Sequence, residues 1–235
     1  NGDFEETGVN EVLNGDFATD SDWDKGAGWT ISGGEANCDG SDNSALFQAI
    51  DFVGGTSYKI TFDISDYTSG ELICRVNDDE TNTFNSVGSH TVYFTSDTID
   101  NFDFAYFKSQ NNFIGSIDNV SVEEVGQEWV LTDGCSITAQ GARITSDGTN
   151  QYIQQTNAIV VGDTYEVEYE ITESVSGLLS IADSFGSGYS LKNTVGIHKF
   201  YGIAANTTLR IKKSAACDIT IDNIKIKRLT GDDTP

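Results

Sequence analysis

Residues 48 to 125 recur, in order and nearly in register, at residues 155 to 229. An offset of 107 carries Gln48 onto Gln155, Tyr58 onto Tyr165, Ile64 onto Ile171 and Gly70 onto Gly177. With one residue added, at an offset of 108, Val87, Gly88 and His90 meet Val195, Gly196 and His198, and Tyr93 meets Tyr201. Four residues are then deleted, and Ile117, Asp118, Asn119 and Val120 meet Ile221, Asp222, Asn223 and Ile224. Each change of register falls in a polar stretch, where a shared fold tolerates insertions. A duplication of this length requires two copies of one domain, each burying its own core within the 235 residues. The expected division is a polar segment at 1–10, a first repeat at 11–125, a second at 126–230 and a tail at 231–235, with both ends frayed. Trp29 and Trp129 are expected to open the two copies as core plugs.

Within each copy the apolar residues recur with a period of two. Tyr58, Ile60, Phe62 and Ile64 alternate with Lys59, Thr61, Asp63 and Ser65, and Tyr165, Val167, Tyr169 and Ile171 alternate with three glutamates. Such alternation marks half-buried antiparallel strands. Leu72, Cys74 and Val76 form the next inward set, followed by Val92 with Phe94, then Phe102, Phe104 and Tyr106. Arg75, Tyr93 and Phe107 are thereby assigned to the outer face. Turn residues are frequent, with 24 Gly among them, and no segment of useful length has a 3.6-residue period. The reading is an all-β chain of two sandwiches, with seven or eight strands per copy.

Charge narrows the partners. The 37 acidic against 13 basic side chains give a formal net charge of −24, so nucleic acid is not expected to bind. The acidity is uneven: residues 1–125 hold 24 acids and 4 bases, whereas 126–235 hold 13 and 9. No apolar run is long enough to insert in a membrane. A chain without Met or a signal peptide is expected to be a processed product or an excised piece. Cys38, Cys74, Cys135 and Cys217 allow two disulfides or four thiols, but they include no zinc-type pair.

The run NGDF at Asn14–Phe17, followed by Trp23, GWTISGG at Gly28–Gly34 and IDNVSV at Ile117–Val122, resembles the family 4, 9, 16 and 22 carbohydrate-binding modules. It resembles most the versions found in bacteriophage virion proteins. The second copy keeps EWVLTDG at Glu128–Gly134 and IDNIKI at Ile221–Ile226. It has no NGDF in line, while a further NGDF at Asn1–Phe4 has no Trp following it. The resemblance implies galactose-binding-like jelly rolls. It also implies a structural Ca²⁺ where the first and last strands meet, held by Asp16 with Asp118 in the first copy and by Asp222 in the second. An Asx turn is the alternative role for the Asp-Asn pairs.

Sugar recognition calls for aromatic faces flanked by polar groups. Trp23 and Tyr67 in turns, with Arg75, Tyr93 and Phe107 on the outer face, are the candidates in the first copy. Tyr152, Tyr189 and Tyr201 are their counterparts in the second. His90 and His198 occupy one repeat position, as structural residues do, and no nucleophile, metalloprotease or phosphate-loop motif occurs. The expectation is a non-catalytic carbohydrate-binding or adhesion protein on a virion surface or outside the cell, its partners a glycan or polysaccharide surface and other virion or surface proteins. If only one copy binds a ligand or calcium, it is expected to be the first. The alternatives are an accessory module of a secreted polysaccharide-degrading enzyme and a purely structural virion or cell-surface protein.

Overall fold

A computed structural model describes residues 2–76, 80–96, 104–186 and 189–230, with the side chains of Val76, Glu80, Thr81 and Phe104 excepted. Phe102 and the tail at 231–235 lie outside the described residues. Two compact units are present, Gly8–Glu124 and Asn1–Thr7 with Val125–Pro235. The first is interposed in the sequence of the second, and the two are termed here the inserted and the host domain. Both are all-β sandwiches.

The strands of the inserted domain are β1 (Thr7–Asn10), β2 (Asp24–Lys25), β3 (Trp29–Ser32), β4 (Glu35–Asp39), β5 (Ala45–Ala49), β6 (Ser57–Val76), β7 (Glu80–Phe84), β8 (Gly88–Thr95) and β9 (Phe104–Val125). Two of them are long enough to serve both layers. The first half of β6 pairs with β8 and its second half with β7. β9 pairs first with β5 and then with β4. β6 bends at Gly70, whose φ is 80°, and a Cβ there would strike the backbone of Asn112 and Phe113. The inward set, including Leu46, Ile60, Phe62, Leu72, Phe107, Phe113 and Ile117, is buried in one core. Each such side chain contributes roughly 1.5–3 kcal/mol relative to exposure.

The host domain contains β10 (Val130–Leu131), β11 (Cys135–Thr138), β12 (Gly141–Ser146), β13 (Tyr152–Gln155), β14 (Thr164–Ser176), β15 (Leu179–Ser180), a short helix α1 (Ala182–Phe185), β16 (Gly196–Ile203), β17 (Leu209–Lys213) and β18 (Cys217–Leu229). The chain breaks after β14 and after β17, where β6 and β9 bend, so two separate sheets result. Their orders are β10-β13-β17-β15 and β11-β12-β18-β14-β16. The duplication extends to single bonds: the hydroxyls of Tyr58 and Tyr165 accept from the amides of Val53 and Val160, both at 3.0 Å.

Residues 2–10 do not fray, contrary to expectation. The amide of Ile224 donates to the Gly2 carbonyl at 2.8 Å, as that of Val120 does to Gly15 at 2.9 Å. Phe4 is fully buried, and its ring lies 5.1 Å from that of Trp129. Phe17 and Trp23 form the same pair at 5.2 Å. The amide of Gly126 donates to the Phe4 carbonyl at 3.1 Å. The NGDF at the start of the chain is therefore the opening motif that the second copy lacks in line. The remainder of the segment, Thr7–Asn10, is strand β1 and pairs with β9.

This arrangement changes the pairing of the tryptophans. Trp129 corresponds to Trp23, since both precede the short strands β10 and β2 and both pack on the Phe of an NGDF. Cys135 occupies the place of Trp29: Trp29 lies opposite Cys38 as Cys135 lies opposite Ile144. Trp29 and Trp129 are both buried, as core plugs should be.

Candidate functional site

In the inserted domain, β2, β5, the first half of β9 and the second half of β6 form one layer. Asp24 pairs with Phe47, Phe47 with Tyr106, and Ala45 with Lys108. Because Leu46 and Phe107 between them are fully buried, period-two alternation turns Phe47, Tyr106 and Lys108 to the outer side. The rings of Phe47 and Tyr106 stack at 6.2 Å and 27°. On β6, Leu72 and Cys74 enter the core, so Glu71 and Arg75 lie on the same side as this aromatic pair, with Ile73 between them buried. Glu71 accepts from Gln110 at 3.2 Å and from Asn111 at 2.9 Å. The result is a flat aromatic patch edged by a lysine, an arginine, a carboxylate and an amide.

Phe107 is thus a core residue, 5.0 Å from Phe62, and Tyr106 is the outward one. The sequence around them is apolar at both parities, and only pairing with β5 fixes which side is buried. Trp23 is likewise a core residue: it is held by Phe17, and its indole N–H donates to the Asn14 carbonyl at 3.1 Å. Tyr67 is half-buried and donates to the Gly70 carbonyl at 3.1 Å, at the bend of β6. Arg75 and Tyr93 are both half-buried, but Tyr93 lies opposite Lys59 in the other layer, away from Arg75.

The host domain carries the corresponding face on β10-β13-β17-β15. Val130, Gln154 and Arg210 lie in one row, and Tyr152, Lys212 and Ser180 in the next. Arg210 takes the place of Tyr106, and Lys212 that of Lys108. The Arg210 guanidinium sits over the Tyr152 ring, 4.3 Å from its centroid. Its Nε and Nη2 donate to Gln154 Oε1 at 2.9 and 2.7 Å, and Nη1 donates to Asp183 at 3.2 Å. Lys212 donates to the other oxygen of Asp183 at 2.6 Å. The two cations, Lys212 foremost, hold the Asp183 carboxyl below its usual range against the opposing effect of burial.

Tyr189 and Tyr201 are not gathered with Tyr152. Tyr189 meets Phe200 edge-on at 5.0 Å, and Tyr201 on β16 donates to Glu166 at 2.6 Å. Phe47, Tyr106, Gln154, Arg210 and Lys212 are the side chains that sequence reasoning missed. The pairing of Gln48 with Gln155 already placed Phe47 and Gln154 at equivalent positions, which was a usable signal.

The three aspartates expected to bind metal differ. Asp16 is exposed and accepts from the Ala18 amide two residues on, as in an Asx turn, while Asp118 accepts from the amide of the adjacent Asn119 at 2.7 Å. Asp222 has a buried Oδ1 with no hydrogen-bond partner. Burial, with repulsion from Glu5, Asp3 and Glu170, pushes its carboxyl up to about 6. Asp3 and Glu5 belong to the docked opening motif, whose counterpart has Ala18 where Glu5 stands. An orphaned carboxylate oxygen among hard oxygen donors suits Ca²⁺ in kind. Among the described residues no three His, Cys, Asp or Glu side chains already converge on one point. Carbonyls and water would therefore complete any coordination shell.

No protein-family model and no curated protein matches the sequence. Among solved structures, the chain is similar to the N-terminal tandem CBM22-1-CBM22-2 domain of Paenibacillus barcinonensis Xyn10C, at 9% identity and a TM-score of 0.32, covering 97% of this chain and 96% of that one. It is also similar to a chain of Sulfolobus Turreted Icosahedral Virus, at 11% identity and a TM-score of 0.25, covering 89% and 60% respectively. Neither likeness is close enough to bear on function.

Proposed function

We propose that the chain is a non-catalytic glycan-binding protein that uses the outer face of the same sheet in each domain. The observation that carries this reading is the equivalence of the two faces. Phe47, Tyr106 and Lys108 in one domain, and Gln154, Arg210 and Lys212 in the other, occupy matched positions on rigid strands. A sugar ring is bound by an aromatic or guanidinium plane against its C–H face and by charged or amide groups at its hydroxyls. Both faces offer that combination.

A binding role also agrees with the histidines. The ring of each bonds a backbone carbonyl four residues earlier, Ser86 for His90 and Thr194 for His198, so both act within their own turn. Display on a virion or another extracellular surface rests on the resemblance of the end motifs. Calcium forms part of the proposal for the host domain, with Asp222 as its carboxylate, carbonyls and water completing the shell, and a structural role. A glycan array probed with wild-type protein in millimolar calcium tests the reading. Binding that is lost in Tyr106→Ala or Arg210→Ala with the melting temperature unchanged supports it, and absence of binding to any glycan overturns it.

A further inference from the structure

Resting on that reading, we infer that the two faces take different sugars, and that the host-domain face takes a carboxylated one, a uronate. The chain is acidic overall, yet this face joins Arg210 and Lys212 against the carboxylate of Asp183. One positive charge is left over. The side chains of Arg210 and Lys212 retain 32% and 28% of their exposure, so solvent and ligand reach both.

Donors remain as well. The described bonds use three of the five guanidinium N–H groups and one of the three ammonium hydrogens. Gln154 and the Tyr152 ring fix the guanidinium plane before any ligand arrives, which lowers the entropy lost on binding. Charge-assisted bonds from a fixed guanidinium to a carboxylate are about twice as strong as neutral ones. At the matched positions the inserted domain offers the rings of Phe47 and Tyr106 with Lys108, and Glu71 and Arg75 lie nearby. With a ring in place of the Arg210 guanidinium, that face suits the C–H surface of a neutral pyranose. The remaining negative surface opposes a long polyanion, so the ligand for this face is a short acidic oligosaccharide or an isolated acidic residue in a branched glycan.

The test is calorimetric titration of the full chain with trigalacturonate and with a neutral xylotriose, at 0.15 M salt. Trigalacturonate should bind, and its affinity should fall at least tenfold in Arg210→Gln and in Lys212→Gln while Lys225→Gln, the same change of charge on the other sheet of the host domain, leaves it unchanged. Asp183→Asn removes the internal competitor and should tighten binding several-fold, an effect that a purely structural role would not produce. If trigalacturonate binding is indifferent to all three host-face variants, or only xylotriose binds, the uronate assignment is wrong while glycan binding stands. If neither saccharide binds and the array is blank, the underlying reading fails with it.

Discussion

Phe4 is buried against Trp129, with ring centroids 5.1 Å apart, although the whole inserted domain lies between them in the sequence. The contact completes the host-domain core with a segment that precedes the other domain. Phe4→Ala should destabilise the host domain by about 3–5 kcal/mol, the usual cost of truncating a buried phenylalanine. Calorimetry should show one transition lowered and the other unchanged, with Phe17→Ala lowering the opposite one.

Glycine is required in both opening motifs for a steric reason. A Cβ on Gly2 would run into the Ile224 carbonyl, and one on Gly15 into that of Val120. Neither obstacle is a movable side chain. Gly2→Ala should therefore weaken the host domain alone and Gly15→Ala the inserted domain alone, read by protection of the Ile224 and Val120 amides in hydrogen exchange.

Tyr106 and Phe107 should separate binding from stability. Phe107→Ala opens a cavity beside Phe62 and should cost about 3–5 kcal/mol. Tyr106→Ala removes an outward ring and should leave the melting temperature within a few degrees while abolishing retention on a neutral glycan by the inserted domain. A large loss of stability in Tyr106→Ala would show that the ring serves packing.

Asp222 makes host-domain stability depend on pH and on calcium. Burial pushes its carboxyl up to about 6, above its ordinary 3.8, so the protonated form favours the fold. That contribution is complete below about pH 4 and is lost as pH rises through 6. In chelator, the host transition should rise on going from pH 7 to pH 5. At pH 7, Asp222→Asn should raise it too, by several degrees. Added calcium should raise the wild type by mass action and leave the variant unmoved.

All four cysteines are buried thiols. Burial pushes Cys74 up to about 12 and raises the other three as well. Cys135 and Cys217 stand on β11 and β18 with β12 between them, two strand spacings or about 10 Å apart, beyond the ~7 Å that a disulfide spans. A thiol reagent at pH 8 should find almost no reaction in the native protein and four equivalents after unfolding. Fewer than four would reveal a bridge.

The repeat, the strand alternation and the two-sandwich class were legible because each depends on residue order within one copy. Tyr58 and Tyr165 fall on equivalent inward positions by counting alone. The outward residues of the two faces were less legible. Phe104 to Lys108 are apolar at both parities up to the lysine, so alternation assigned the wrong ring, and the pairing of Leu46 with Phe107 decides it. Trp23 read as a turn residue because its partner, Phe17, reaches it only when the NGDF turn folds back. Of the metal candidates, Asp222 is the one with an orphaned buried oxygen, and its acidic neighbours Asp3 and Glu5 arrive from the start of the chain, where no local pattern reaches.

By itself the sequence determined that this protein is two β-sandwich domains of one ancestry, since periodicity and repetition are properties of neighbours along the chain. The tertiary structure alone decided that the first NGDF belongs to the last domain, and which outward side chains share a face. Both depend on pairing between distant segments, where burial of Phe4, Leu46 and Phe107 selects one register among those that local pattern allows.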